Sequence, residues 1–220
     1  MTPGRATDAS APTLRSDAER NRQAIVRAAR EVFAEQGVDA PMAVIARRAE
    51  VGIATLFRRF PERDDLVAAV FGAQMTAYAD AVEMALADPD PWQGFCRYVE
   101  RVCAMQAADR GFTDVLTMTF PMASALEGER SRAFRGFRRL VARAKDAGRL
   151  RRDFSDKDLI ILLMANAGVV TATQEIAPGA SPRLVAYLLQ AFDADHTKPL
   201  PPVPRSVDLV RAMKQGHPTS

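Results

Sequence analysis

The sequence predicts an all-α protein, with a small three-helix head at the N-terminus and a larger helical domain after it. Apolar residues recur at helical spacing through most of the chain, and no stretch alternates as a strand would. Gly and Pro gather at the ends of the periodic segments. The composition, 48% hydrophobic and rich in Leu, Ala, Arg and Val, is sufficient for a real core. A chain of 220 residues fits one domain or two small ones.

Residues 1–15 read as a disordered arm, its first thirteen lacking any periodicity. The first helix is expected over 17–36, with Ser16 as N-cap and Glu19 completing a capping box. Ile25, Ala29, Val32, Phe33 and Gln36 share one face of it, and Gly37 stops it. The second helix, 41–49, has Pro41 at its start and Met42, Ile45 and Ala46 on one face. Glu50, Val51 and Gly52 make a turn. The third helix, 53–60, has Ile53, Leu56, Phe57 and Phe60 as its apolar face, with Thr55 among them and Arg58, Arg59 and Arg63 alongside. The first helix then forms the third wall, packing on Ile45, Leu56 and Phe60. Two short helices joined by so tight a turn make a helix-turn-helix, whose second helix can enter a DNA major groove. The head is bounded at 16–66.

Pro61 ends the third helix. A connecting helix follows over 62–87, with Glu62, Asp64 and Asp65 in its favourable first turn and Leu66, Val70, Ala73 and Ala77 inward. The second domain, 67–195, continues with a helix capped by Asp90, Pro91 and Gln93. Trp92, Phe95, Cys96, Val99, Val102, Cys103 and Gln106 form its stripe. A shorter piece, 111–121, precedes a helix over 129–147, with Phe134, Phe137, Val141 and Ala144 inward and Gly148 as its stop. Ser155 and Asp158 open a helix over 156–176, and Ser181-Pro182 opens the last, ending near Phe192. These last two are apolar on nearly every side, which requires cover all round. That predicts a dimer interface through Leu159, Leu163, Val170, Leu184, Leu188 and Phe192. Residues 196–220 read as a Pro-rich or disordered tail, with a PxxP ligand as the lesser alternative.

Residues 41–66 resemble the DNA-binding head of the TetR family of bacterial one-component regulators. Ile45, Ala46, Ala49, Val51, Gly52, Thr55, Leu56, Phe60 and Leu66 follow the family pattern in order. By this resemblance Arg59 occupies a His-type position near backbone or base edges, and Arg63 stands where the family has a phosphate-contacting Lys. Two residues depart from it. Phe57 replaces a Tyr and lacks its hydroxyl, and Glu50 fills a turn position where the family has Gly. If the backbone there is left-handed, Glu costs about 1 kcal/mol. The resemblance implies a homodimeric regulator, a repressor released from double-stranded operator DNA by a small, largely apolar effector. The expected DNA-binding residues are Arg15, Met42, Gly52, Ile53, Thr55, Phe57, Arg58, Arg59 and Arg63; Arg5 and Arg20 are either further phosphate contacts or solvated.

Charge alone points elsewhere. Residues 1–66 hold eleven basic and ten acidic side chains, whereas 130–152 hold ten basic and one acidic. The second run reads as a solvated helix face or as a site for an acidic ligand or partner. A small-molecule pocket is expected among Trp92, Phe95, Met105, Phe112, Met118, Phe120, Met122, Phe137 and Met164, unless these simply fill the core. Asn166, with Gln174 and Thr171 near it, lines that pocket or crosses the dimer interface. Cys96 and Cys103, seven apart on one helix, are too distant for a mutual disulfide and read as buried free thiols or, less simply, a redox sensor.

No catalytic, phosphate-loop or metal pattern occurs, and the two histidines, His196 and His217, lie in the tail. No enzyme activity, metal or cofactor is expected. With no signal peptide and no apolar run of membrane length, the expectation is a cytoplasmic protein without a membrane partner. The rival reading is an all-α ligand-binding or interaction protein whose helix-turn-helix is only structural.

Overall fold

The computed structural model describes residues 11–117, 124–173, 175–195, 198–205, 207–209 and 211. In chain order its helices are α1 (Ala11–Gln36), α2 (Met42–Arg48), α3 (Ile53–Arg59), α4 (Arg63–Leu86), α5 (Pro91–Ala108), α6 (Arg110–Thr117), α7 (Ser124–Asp146), α8 (Asp158–Thr173) and α9 (Ala180–Phe192). Among the described residues β structure is confined to one isolated antiparallel bridge, Leu150 with Asp193. The protein is all-α, as its periodicity predicts. Two units separate inside α4, Met1–Val70 and Phe71–Ser220.

In the first unit Ile25, Ala29, Val32 and Phe33 of α1 are buried against a core that includes Ile45, Leu56, Phe60 and Leu66. Each large side chain there stabilises the fold by roughly 1.5–3 kcal/mol. α1 starts earlier than expected. Pro12 stands in its first turn, where the missing N–H costs nothing, so position 16 lies inside the helix and not at its start. Gln36, expected inward, is exposed because the helix ends at the left-handed Gly37 (φ 84°) and its last turn faces solvent. α2 uses Pro41 as its N-cap, one position earlier than its predicted place in the first turn. Arg48 ties α2 to α1 through a two-pronged hydrogen bond to Glu35, at 3.0 and 2.8 Å. The segment between α1 and α2 is held by Arg63, whose Nη1 donates to the carbonyls of Val38 and Ala40, both at 2.7 Å. Carbonyls that no helix satisfies thereby gain a donor.

In the second unit Gly136 marks a close approach of α7 to α4: a Cβ there would come 2.5 Å from Val82 Cγ1. α4 buries Phe71, Met75, Tyr78, Ala79 and Val82, while Ala73 is exposed and Ala77 half-buried. The predicted Ala73–Ala77 line is therefore off by part of a turn, because the bulky aromatic and Met positions take the core instead. At the start of α5 the Asp90 carboxylate accepts from the amides of Trp92 (2.8 Å) and Gln93 (3.2 Å). The amide of Asp90 itself donates to Asp88 (2.9 Å), the role expected of Gln93. Ser155 and Asp158 form the expected cap, the Ser155 amide donating to the Asp158 carboxylate at 2.7 Å.

The chain beyond α9 is not a free tail throughout. Arg151 Nη2 donates to the carbonyl of Lys198 (2.7 Å), and the amide of Leu200 donates to Asp153 (2.9 Å). Arg151 and the Leu200 amide hold the Asp153 carboxyl down at about 2. His196 and His217 lie outside the described residues.

Candidate nucleic-acid interface

The turn between α2 and α3 is built on an unfavourable residue. Glu50 has φ 56°, the left-handed region that the sequence suggested for it. Its amide donates to the Arg47 carbonyl (3.1 Å) and the next amide, Val51, to that of Ala46 (3.0 Å), so two hydrogen bonds close α2 around it. Gly52 then caps α3 with ordinary backbone angles (φ −65°, ψ 144°), and a Cβ there would meet nothing within 4 Å. Neither backbone conformation nor packing within the chain calls for glycine at 52. A clear surface at the start of α3 is what it provides.

α3 is seven residues long, and its apolar residues divide between two faces. Leu56 and Phe60 are buried, and the guanidinium of Arg22 lies 5.7 Å from the Phe60 ring centroid. Ile53 and Phe57, expected to join them, point away and are 43% and 45% exposed. A helix this short has room for one inward pair at i and i+4, and Leu56 and Phe60 take it. The outward pair at 53 and 57 is flanked by exposed Arg58 and Arg59, with Thr55 half-buried. Neither arginine has a carboxylate partner among the described residues. Arg47, at the end of α2, is exposed in the same way and is not among the residues the sequence pattern singles out. Met42 is half-buried. Arg63 is not a free groove-side cation: it is half-buried on the Val38 and Ala40 carbonyls. The side chain of Arg15 lies outside the described residues.

The expected pocket residues of the second unit are mostly core. Trp92 stacks on Phe95 (5.6 Å between centroids), and Phe95 packs on Phe137 (6.0 Å), with Phe154 edge-on at 5.5 Å. Phe112 is fully buried beside Phe71. These rings pack against one another as core. Asn166 is equally committed. It donates to Gln106 Oε1 (2.9 Å) and accepts from Ser181 Oγ (2.7 Å), a closed link between α5, α8 and α9. Met105 and Met164 are half-buried, and Met118, Phe120, Met122 and Gln174 lie outside the described residues.

A cavity of about 350 Å³ lies elsewhere, its wall including Tyr78, Leu116, Arg130, Phe134, Leu159 and Leu163. None of the expected ligand residues that are among the described residues lines it. A signal was present: Arg130 falls on the inward stripe of α7, four and seven residues before Phe134 and Phe137. Phe134, predicted inward, is 41% exposed because it stands at this opening. Burial raises the Tyr78 phenol above its usual range, with Tyr98 and Arg130 opposing it. Burial likewise pushes Cys103 and Cys96 to about 12, Glu100 adding to the effect at Cys96, so neither thiol is poised as a thiolate.

Leu159, Leu163 and Val170, expected to face a partner, are buried in their own unit. Leu184, Leu188 and Phe192 are half-buried. The outer face of α8 carries a different apolar row, Ile161, Ala165, Gly168 and Ala172, all exposed, and α9 exposes Tyr187 at 57%. The two helices are thus less symmetric than all-round hydrophobicity suggested: one side of each enters the core and the other stays exposed.

Residues 25–70 match the bacterial regulatory proteins of the tetR family, and residues 90–190 match the C-terminal domain of SbtR-like transcriptional regulators. No match was found among curated proteins. Among solved structures the chain is similar to the transcriptional regulator FadR from Bacillus subtilis in complex with stearoyl-CoA, at 14% identity and TM-score 0.58, covering 78% of this chain and 99% of that one. It is similar to the fatty acid degradation regulator FadR from Bacillus halodurans, at 19% identity and TM-score 0.55, covering 77% and 96%. It is also similar to RolR in complex with resorcinol, at 21% identity and TM-score 0.50, covering 86% and 100%. At these identities the likeness is one of fold.

Proposed function

The chain belongs to the TetR family of bacterial transcriptional regulators, and from that premise we propose that it is a homodimeric cytoplasmic repressor whose α3 enters an operator major groove and which an organic effector releases. The observation that carries the reading is the outward face of α3. An exposed Ile53–Phe57 pair beside Arg58 and Arg59 is costly to leave in water and suits a groove floor, where apolar side chains meet thymine methyls and arginine meets guanine or phosphate. Gly52 leaves the approach to that face open, and Arg47, Thr55 and Met42 flank it.

The exposed row on α8, with Leu184, Tyr187 and Leu188 of α9, supports a partner's copy packing there. A dimer places two α3 helices on half-sites about one helical turn apart. The effector reading is supported by the cavity and by the organic ligands of two proteins of this fold. An effector acts only through its difference in affinity for two states, and α4, which runs through both units, is the element we assign to transmit it.

The test is selection of genomic DNA by the purified protein, followed by salt titration on the selected site. Arg59→Ala should weaken binding with the fold intact and lower the salt slope by about one. Binding that ignores Arg58, Arg59 and Phe57 substitutions would leave the helix-turn-helix a structural feature of a ligand-binding protein. Arg63→Ala is a poor companion test, since it also removes the brace on Val38 and Ala40.

A further inference from the structure

The helix-turn-helix is short of the side chains that usually read bases. From Met42 to Arg59 it contains no Asn, Gln, Ser, His or Lys. Arg48 is held by Glu35, and Thr55, the segment's one hydroxyl, is half-buried. Arg47, Arg58 and Arg59 are exposed, and arginine suits guanine or phosphate. The paired hydrogen bonds that single out adenine come from Asn or Gln, and α2 and α3 have neither. What an A·T pair still offers this surface in the major groove is the thymine 5-methyl group, which apolar side chains meet.

α3 presents such side chains outward. Ile53, Ala54 and Phe57 are all exposed on one side of it, and Gly52 just before them puts no side chain in the way. Residues four apart on a helix stand about 5–6 Å apart at Cβ. Carbon atoms touch at about 3.5–4 Å, so one methyl group can rest against both Ile53 and Phe57. Resting on the regulator reading above, we infer that the protein reads its operator at thymine 5-methyl groups, with Ile53 and Phe57 as the specificity-determining pair. This narrows the operator from unspecified DNA to half-sites that turn thymine methyls towards α3.

Fluorescence-anisotropy titration of the full chain with the genomically selected site tests the assignment. Each thymine of the half-site is replaced in turn by uracil, which lacks only the 5-methyl. At one or more positions uracil should weaken binding about fourfold in one half-site and about fifteenfold in both, the effect of losing one buried methyl-sized group from each. A methyl group carries no charge and releases no counterion, so the salt slope should not change with it. At the same positions 5-methylcytosine should bind about fourfold more tightly than cytosine, because the two differ by that methyl alone. Ile53→Ala or Phe57→Ala should shrink the uracil effect to less than twofold. Both side chains are exposed, so the core of the head does not rest on them, and the base replacements need no variant at all. An operator at which no thymine responds to uracil, equal binding of cytosine and 5-methylcytosine at the responsive positions, or a uracil effect that survives both substitutions overturns the inference. Each of these results is read on DNA that the protein binds specifically, so it leaves the regulator reading standing. Selection that yields no specific site overturns both.

Discussion

Replacing Glu50 with glycine should stabilise the head. At φ 56° the Glu side chain bears the left-handed penalty, about 1–2 kcal/mol for an ordinary residue. Glycine removes it but gives back roughly 0.5–1 kcal/mol through its freer unfolded chain. The net gain is about 0.5–1 kcal/mol, a two- to fivefold rise in the folded-to-unfolded ratio of the head. The single tryptophan, Trp92, belongs to the second unit, so its fluorescence is the wrong probe. Hydrogen exchange of the Val51 and Leu56 amides, which donate to the Ala46 and Gly52 carbonyls, reports the turn directly. Glu50→Gln separates strain from charge: it keeps the left-handed cost and removes the carboxylate. Glycine alone should raise protection, glutamine should leave it unchanged, and asparagine should fall between. Both Glu50→Gly and Glu50→Gln should tighten DNA binding, since each removes a negative charge next to α3, the helix proposed to enter the groove. Equal protection in the Gly and Gln variants would refute the strain argument, because the charge would then be the whole effect.

Phe57→Tyr should tighten operator binding by about two- to tenfold, the range of one added hydrogen bond; the ring is already exposed, and a gel-shift titration showing equal or weaker affinity would count against it. Asn166→Leu should cost about 2–4 kcal/mol in urea unfolding followed at Trp92, because Gln106 and Ser181 lose their buried partner. Asp153 is depressed in the folded chain, so its contribution is present above the ordinary Asp value near 4 and is lost as pH falls through about 2. Protection of the Leu200 amide should therefore stay level from pH 9 to about 4, fall in stronger acid, and be absent throughout in Arg151→Ala.

What could be read in the sequence followed from periodicity and from end signals. The helices of the second unit, the Asp90 cap, the Gly37 and Gly148 stops and the strained Glu50 all announce themselves within a few residues. What could not be read is which side of a short or doubly apolar helix faces in. Ile53 and Leu56 look alike in a seven-residue helix, and only the neighbours' volumes decide that Leu56 goes inside. The same holds for α8, where Leu159 and Leu163 go inward and Ile161 outward. The pocket was misplaced for a related reason. Aromatic side chains look in a sequence like candidate lining, yet rings such as Phe95 and Phe137 fill space better against one another than around a ligand. The more informative mark was the polar residue out of place, Arg130 on an inward stripe.

The distribution of arginine raises a similar point about charge. A count of basic residues favours 130–152 over the head, but a count of those still available does not. Arg132 is held by Asp80 and Glu129, Arg143 by the Leu86 and Asp88 carbonyls, and Lys145 by the Phe154 carbonyl. Arg138, Arg149 and Arg151 pair with Asp156, Asp193 and Asp153. Most of that run braces its own unit, through carboxylates and through carbonyls that lie at or beyond helix ends. In the head, Arg48 and Arg63 are consumed in the same way, while Arg47, Arg58 and Arg59 stand exposed within the helix-turn-helix without a carboxylate partner among the described residues. A polyanion responds to charge that is not already neutralised, because only such charge releases counterions when it binds. The nearly neutral head is therefore the better DNA-binding surface, and the strongly basic α7 the poorer one. Substituting Arg135 and Arg139, which are exposed on α7, should leave the salt slope of operator binding unchanged; a drop of about one per residue would show that α7 also meets the phosphates.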